Sequence, residues 1–274
     1  NGFGEWEPPD DIYVGVWPMQ EPIVAFSSVY CNIHYANGKF SPKMRQGLPG
    51  STAYSMAEHP MLCVSWYGAV AFCNWLSQME GLVPCYNDQL LGNWTLDMAP
   101  PAPRGYRLPT EAEWERAAAW DGSKHWVYGF TSDTLTGKDR CNYYDSNPDH
   151  VNPLGLISFP YTSPTGWFSG VCVNPNGTII TVESLSPVGA FDMSGNAMEW
   201  CHDWYSPTYY EGGTMTNPTG PADGSARVFR GGGWNSTPEF CRSASRPYAD
   251  PEYMSHLLGF RLAKSAPALD VTSF

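Results

Sequence analysis

The sequence predicts an α+β fold of two helices, short antiparallel strands and many irregular loops over its 274 residues. Three observations point there. Ser65 to Glu80 sets apolar residues at helical spacing behind a capping serine. Thr110-Glu111-Ala112-Glu113 is a capping box that opens a second helix. Elsewhere, short strand-like runs are separated by stretches dense in glycine and proline, which number 27 and 25. A hydrophobic share of 42% suits one large domain or two small ones.

Each element follows from local chemistry. Ile12 to Val16 and Ile23 to Tyr30 read as short strands, and Asn37-Gly38 as a turn. In the first helix Trp66, Ala69, Val70, Cys73, Leu76 and Met79 share one face, and Gly81 ends it. In the second, Trp114, Ala117 and Ala118 share a face. Its acids Glu111, Glu113 and Glu115 suit the positive end of the helix dipole, which explains them better than acid–base catalysis does. Asp145 to about Ser186 is rich in Pro, Gly, Asn and Ser and reads as an insertion, with a small hairpin at Asn176-Gly177. Arg227 to Arg230 and Gly259 to Ala263 read as strands that flank an aperiodic stretch. There Phe240, Tyr248, Tyr253, Met254, His256, Leu257 and Leu258 sit among Ser, Pro, Asp and Glu, so several face water; the alternative is a loop that covers the core.

Composition excludes several classes. A net charge of −12 argues against nucleic acid and anionic membrane surfaces. No run of about 18 apolar residues exists, so no membrane span is expected. No signal peptide is visible at Asn1. The eight cysteines contain no Cys-x-x-Cys pair and the six His do not cluster, so a structural zinc site is not expected. Most cysteines read as buried thiols, with room for some pairing.

Four motifs carry a family resemblance. They are the run from Arg107-Leu108-Pro109 through Ala118, Asp192 to Trp200 (DMSGNAMEW), Arg230 to Trp234 (RGGGW) with Cys241 to Arg246 (CRSASR), and Gly259 to Ala263 (GFRLA). Together they resemble the formylglycine-generating-enzyme type of C-type-lectin fold over about Pro60 to Ala263. The resemblance implies that residues 61–274 form this domain, with the insertion at about 145–186. Residues 1–60 would be a diverged or incomplete N-terminal part, since the family's Gly-Gly-Thr-Phe-like start is absent.

Within the family, 227–263 looks most like the variable region of diversity-generating-retroelement proteins. There, Asn-type template codons are rewritten at adenines, and cannot yield Lys, Glu, Gln, Met or Trp. Ser236, Thr237, Phe240, Ser245, Pro247, Tyr248, Ala249, Asp250, Tyr253, Ser255, His256 and Leu257 are the candidate varied positions, and all hold permitted residues. Glu239, Glu252 and Met254 are not permitted and read as fixed. Trp234, Cys241, Arg242 and Arg246 would belong to the scaffold. The implied function is ligand or receptor binding by a diversified face on a rigid frame. The partner would be a protein or glycan on another cell or particle, and the location a cell surface or virus particle.

The resemblance also implies calcium. Asp192 and Glu199 would give side chains, Gly195 and Ala197 carbonyls, and a weaker second site would use Asn142 and the Tyr143 carbonyl; the alternative is that Asp192 and Glu199 satisfy turn amides. The rival activity is copper-dependent oxidation of a sulfatase cysteine to formylglycine. It needs two close cysteines shortly after the glycine-rich turn, where this chain has Asn235 and Ser236, and Leu262 stands where the enzyme has a further cysteine. No copper and no enzymatic activity are therefore expected. Ergothioneine-type sulfoxide synthesis would need a His-rich helical domain that this chain lacks. A lectin-fold domain without diversification remains the other rival.

Overall fold

The structure is a computed structural model that describes residues 12–16, 19–36, 39–47, 52–87, 94–96, 105–146 and 155–265. The N-terminal part makes three small antiparallel pairs. These are β1 (Ile12–Val16) with β2 (Met19–Val24), β3 (Ile33–Ala36) with β4 (Lys39–Pro42), and β5 (Met44–Arg45) with β6 (Tyr54–Ser55). The predicted first strand is β1. The second lies earlier than expected, because residues 26–30 turn instead of extending. Asn37-Gly38 lies outside the described residues; Ala36 pairs with Lys39 on either side of it.

Helix α1 spans Trp66–Met79, and the Ser65 hydroxyl accepts from Gly68 N (3.0 Å). Trp66, Ala69, Val70 and Cys73 face the core as the spacing predicts. Met79 does not: it is 68% exposed, and Ser77 takes the inner position. Ser77 can be buried because its hydroxyl donates to Cys73 O (2.7 Å) and accepts from Tyr106 N (2.8 Å). Then come the short strands β7 (Tyr86–Asn87), β8 (Thr95–Leu96) and β9 (Tyr106–Arg107). Helix α2 spans Glu111–Ala119 behind the predicted box: Glu113 N donates to Thr110 Oγ1 (3.2 Å), and Thr110 N to Glu113 Oε2 (2.9 Å).

The central sheet is built from β10 (Met198–Trp204), β11 (Arg227–Arg230), β12 (Tyr248–Ala249) and β13 (Leu258–Phe260), in the order β12-β11-β10-β13. Two pairs are antiparallel, whereas β13 runs parallel to β10, Glu199 facing Gly259. The parallel pair departs from the expected antiparallel pattern. Strand β14 (Ala263–Lys264) then crosses to pair with β9. The insertion packs on the domain: Leu156 and Tyr161 form a cluster with Trp234, and Thr165 N donates to Glu58 O (2.8 Å). Its predicted hairpin is reduced to a single bridge, Val173 to Ile180, around Gly177.

Indoles stitch the layers together. Trp66 Nε1 donates from α1 to Cys201 O (2.9 Å), and Trp200 Nε1 from β10 back to Val64 O (3.1 Å). The Arg227 guanidinium lies between Trp66 and Trp204, 3.7 and 3.4 Å from their ring centroids. A buried ion cluster closes the other side. Glu111 accepts from Arg246 Nε (2.6 Å) and Nη2 (2.9 Å), and from Arg230 Nη1 (3.3 Å); Arg230 also meets Glu115. Both Glu111 and Arg230 are almost wholly buried, so removing Glu111 strips Arg246 of its carboxylate and leaves buried Arg230 with Glu115 alone. Glu111→Ala is expected to cost about 3–5 kcal/mol in urea unfolding. A loss under about 1 kcal/mol, the value of an exposed pair, would show that this cluster is not structural.

Candidate functional site

The candidate site is the stretch between β11 and β14, and glycine lets it leave the sheet. Gly231 and Gly232 have φ of +92° and +71°, and a Cβ on Gly232 would lie 2.8 Å from Cys241 Sγ. The turn that follows is pinned from inside. Trp234 is buried; its N donates to Asn196 O (2.9 Å) and its Nε1 to His256 O (3.0 Å). Ser243 N donates to Val127 O (2.8 Å) and Ser194 Oγ to Cys241 O (2.7 Å). Arg246 ends on Glu111. Of the expected scaffold residues, Arg242 alone turns its side chain to solvent.

The candidate varied positions divide into three groups. Thr237, Phe240, Tyr248, Asp250 and Tyr253 are exposed, with Phe240 at 50%, Tyr248 at 53% and Tyr253 at 49%. Ser245, Pro247, Ala249, Ser255, His256 and Leu257 are half-buried. Ser236 is buried, a correction to its place on a binding face: its hydroxyl accepts from Gly233 N (2.9 Å) and closes the turn. The loops are held by their own backbone and short side chains. Tyr253 N donates to Asp250 O (2.9 Å), Glu252 N to Asp250 Oδ1 (2.9 Å), and Cys63 N to Ser255 O (3.0 Å).

Several neighbours of these residues come from far along the chain. Tyr248 stacks on Tyr205 at 3.8 Å. His256 lies 4.7 Å from Tyr30 and 5.6 Å from Trp234, which in turn lies 5.5 Å from Phe159 of the insertion. Burial holds His256 below the usual histidine range. Nothing in the local sequence of Tyr30, Phe159 or Tyr205 marks them as neighbours of the site, because the contacts are set by tertiary packing.

The expected calcium ligands meet protein donors. Glu199 accepts from Trp114 Nε1 (2.7 Å), Arg261 Nε (2.5 Å) and Arg261 Nη2 (2.6 Å), so both carboxylate oxygens face protein donors. Asp192 Oδ2 accepts from Gly166 N (2.8 Å) and Gly195 O from Ala197 N (2.9 Å). Burial pushes the Asp192 carboxyl up to about 6, against the pull of the Gly166 amide and of Arg261. At the second site Asn142 Nδ2 donates to Tyr161 O (2.7 Å), and the Tyr143 carbonyl accepts from Ser146 Oγ (2.7 Å). Of the expected ligands, Glu199 is the one whose two oxygens both meet the charge of an arginine; Asp192 Oδ2, Gly195 O and the Tyr143 carbonyl each accept from protein donors. Among the described residues no three His, Cys, Asp or Glu gather to hold any metal. Burial pushes the Cys241 thiol up to about 12, away from the thiolate that copper or nucleophilic chemistry requires.

A family model described as the sulfatase-modifying factor enzyme 1-like domain matches residues 25–266. The formylglycine-generating enzyme of Streptomyces coelicolor is 34% identical over 223 residues, 78% of this chain and 54% of that protein. The serine/threonine-protein kinase pkn1 of Chlamydia pneumoniae is 30% identical over 211 residues, 76% of this chain and 24% of that protein. The chain thus spans about half or less of the length of these relatives. Among solved structures, Treponema denticola variable protein 1 superposes with a TM-score of 0.59 at 24% identity, covering 94% of this chain and 99% of that one. No helix among the described residues is long and apolar enough to cross a membrane. With the motifs, the fold and the matched span in agreement, the chain belongs to the sulfatase-modifying factor enzyme 1-like domain family.

Proposed function

We propose that this chain is a ligand-binding member of the family, which displays a diversified face between β11 and β14. The observation that carries the reading is a division of labour within that stretch. Backbone bonds and buried anchors (Trp234, Cys241, Arg246) hold its course, while Thr237, Phe240, Tyr248, Asp250 and Tyr253 point outward and make none of the bonds between Trp234 or Arg246 and the core. Tyr and Phe suit this role, because they offer large contact area with few rotamers to freeze. The shape shared with the Treponema variable protein supports the same reading. The partner is a protein or glycan receptor on another cell or particle, and the site of action a cell surface or virus particle.

The similarity to formylglycine-generating enzymes favours the alternative, an oxidase acting on a sulfatase cysteine. Its ligands are what this chain lacks. Asn235 and Ser236 follow the glycine turn, Ser236 is used to close that turn, and Cys241 is buried with a raised pKa. We therefore assign binding and not oxidation. Calcium is likewise not needed at Glu199, where the Arg261 guanidinium meets the carboxylate charge.

Sequencing the locus is expected to reveal a near-repeat of the segment encoding Arg227–Ala263, differing only at adenines; a locus without it overturns diversification. In a second arm, purified protein supplied with copper and a sulfatase-motif peptide is expected to give no formylglycine, and turnover would assign the oxidase instead. For calcium, EDTA is expected to leave the Tm unchanged. A fall on chelation, restored by added calcium, would mean that the ion displaces Arg261, because a ligand bound only to the native state stabilises it.

A further inference from the structure

Two cysteines meet in the core behind α1. Gly81 (φ +69°) turns the chain at the end of the helix, and Leu82 N then donates to Ser77 O (2.8 Å). Four residues on, Asn74 Nδ2 donates to Tyr86 O (2.9 Å) and Tyr86 N to Asn74 Oδ1 (3.2 Å). These two rungs lead residues 82–86 back along the helix. Cys73 and Cys85 directly precede the two partners of the second rung, and both are buried in one cluster with Trp66 and Leu108. They also share a neighbour strand. Cys85 Sγ donates to Gly105 O (3.3 Å), while Ser77 Oγ, which donates to Cys73 O, accepts from Tyr106 N. Burial raises the Cys73 thiol, and the Cys85 sulfur beside it raises it further.

We propose that Cys73 and Cys85, which the structure holds as free thiols, form a disulfide by exchange with a small-molecule disulfide while the chain folds. One cysteine thiolate attacks the small disulfide R–S–S–R and releases one R–SH; the second then attacks the mixed disulfide and releases the other. In sum, Cys73–SH, Cys85–SH and R–S–S–R give Cys73–S–S–Cys85 and two R–SH, so the electrons pass from the cysteine pair to the small disulfide. The step belongs to folding, because in the native state both thiols are covered and Cys73 resists ionisation. The bond closes a short loop and ties α1 to β7, removing freedom from the unfolded chain. It also places folding in an oxidising compartment. The proposal does not depend on the binding function.

The test refolds the reduced, denatured full chain in a buffer of reduced and oxidised glutathione. The product is then denatured in acid, alkylated and mapped by mass spectrometry. The expected result is one species that joins the Cys73 peptide to the Cys85 peptide and separates on reduction. Its Tm should exceed that of the fully reduced protein by several degrees, and Cys73→Ala should remove that reductant-sensitive shift. Cys73 and Cys85 alkylated separately, or each linked to a different cysteine, would overturn the assignment. The wild-type peptide map decides this even if Cys73→Ala does not fold.

Discussion

Two buried carboxylates set the shape of everything near the C-terminus. Glu111, at the first turn of α2, takes Arg246 on the loop and Arg230 at the end of β11. Glu199, on β10, takes Arg261 just beyond β13 together with the Trp114 indole of α2. Arg230 of RGGGW, Arg246 of CRSASR and Arg261 of GFRLA therefore all end on glutamates that lie before the loop. Desolvating such charges is costly, and only well-made geometry offsets the cost. What the pairs supply is a single allowed path: a loop that moved would leave a buried charge without its partner.

That constraint explains how the stretch can carry exposed side chains without losing its form. Loops run over the surface and are ordinarily more mobile and variable than the elements they connect. Here the course is fixed by motif arginines, by Trp234 on Asn196 and His256, and by backbone bonds such as Cys63 N to Ser255 O. Phe240 and Tyr253 can then be replaced at little cost to the frame, since each is about half exposed. Ser236 and Leu257 are different. Ser236 closes the glycine turn, and Leu257 packs partly against the Leu156, Tyr161 and Trp234 cluster while its carbonyl accepts from Met198 N (2.7 Å). Variation at those two positions is limited to residues that preserve the turn and the packing.

Local chemistry made the helices legible. The Thr110 box and the Ser65 cap are decided within four residues, and both form as their spacing demands. Long-range choices were harder to read. Glu111 reads as a first-turn acid, yet its larger role is to meet two arginines more than a hundred residues away. Met79 continues the apolar stripe of α1 on paper, but the helix ends there and Tyr106 N selects Ser77 instead. The carboxylates Asp192 and Glu199 carry the same uncertainty. Their spacing is compatible with an ion or with protein donors, and the sequence does not show that Arg261 comes to lie on Glu199. Tyr30 and Phe159 gave no signal, because rings that gather around Trp234 and His256 do so through the packing of three separate segments.

The same frame could serve either the oxidase of the relatives or the proposed binder. A copper site after the glycine turn would require two adjacent thiolates that copper and substrate can reach. In this chain the turn is closed by the Ser236 hydroxyl on Gly233 N, with Asn235 outside it. A cysteine at 236 would exchange that short hydroxyl bond for a larger, weaker sulfur contact in a buried position, and its thiol would meet the same burial that pushes Cys241 up to about 12. Restoring the chemistry therefore takes more than restoring the residue: the turn itself would have to open toward solvent. The arginine clamps at either end act on the backbone and are indifferent to which of the two chemistries the turn carries, which is the physical sense in which fold and function separate here.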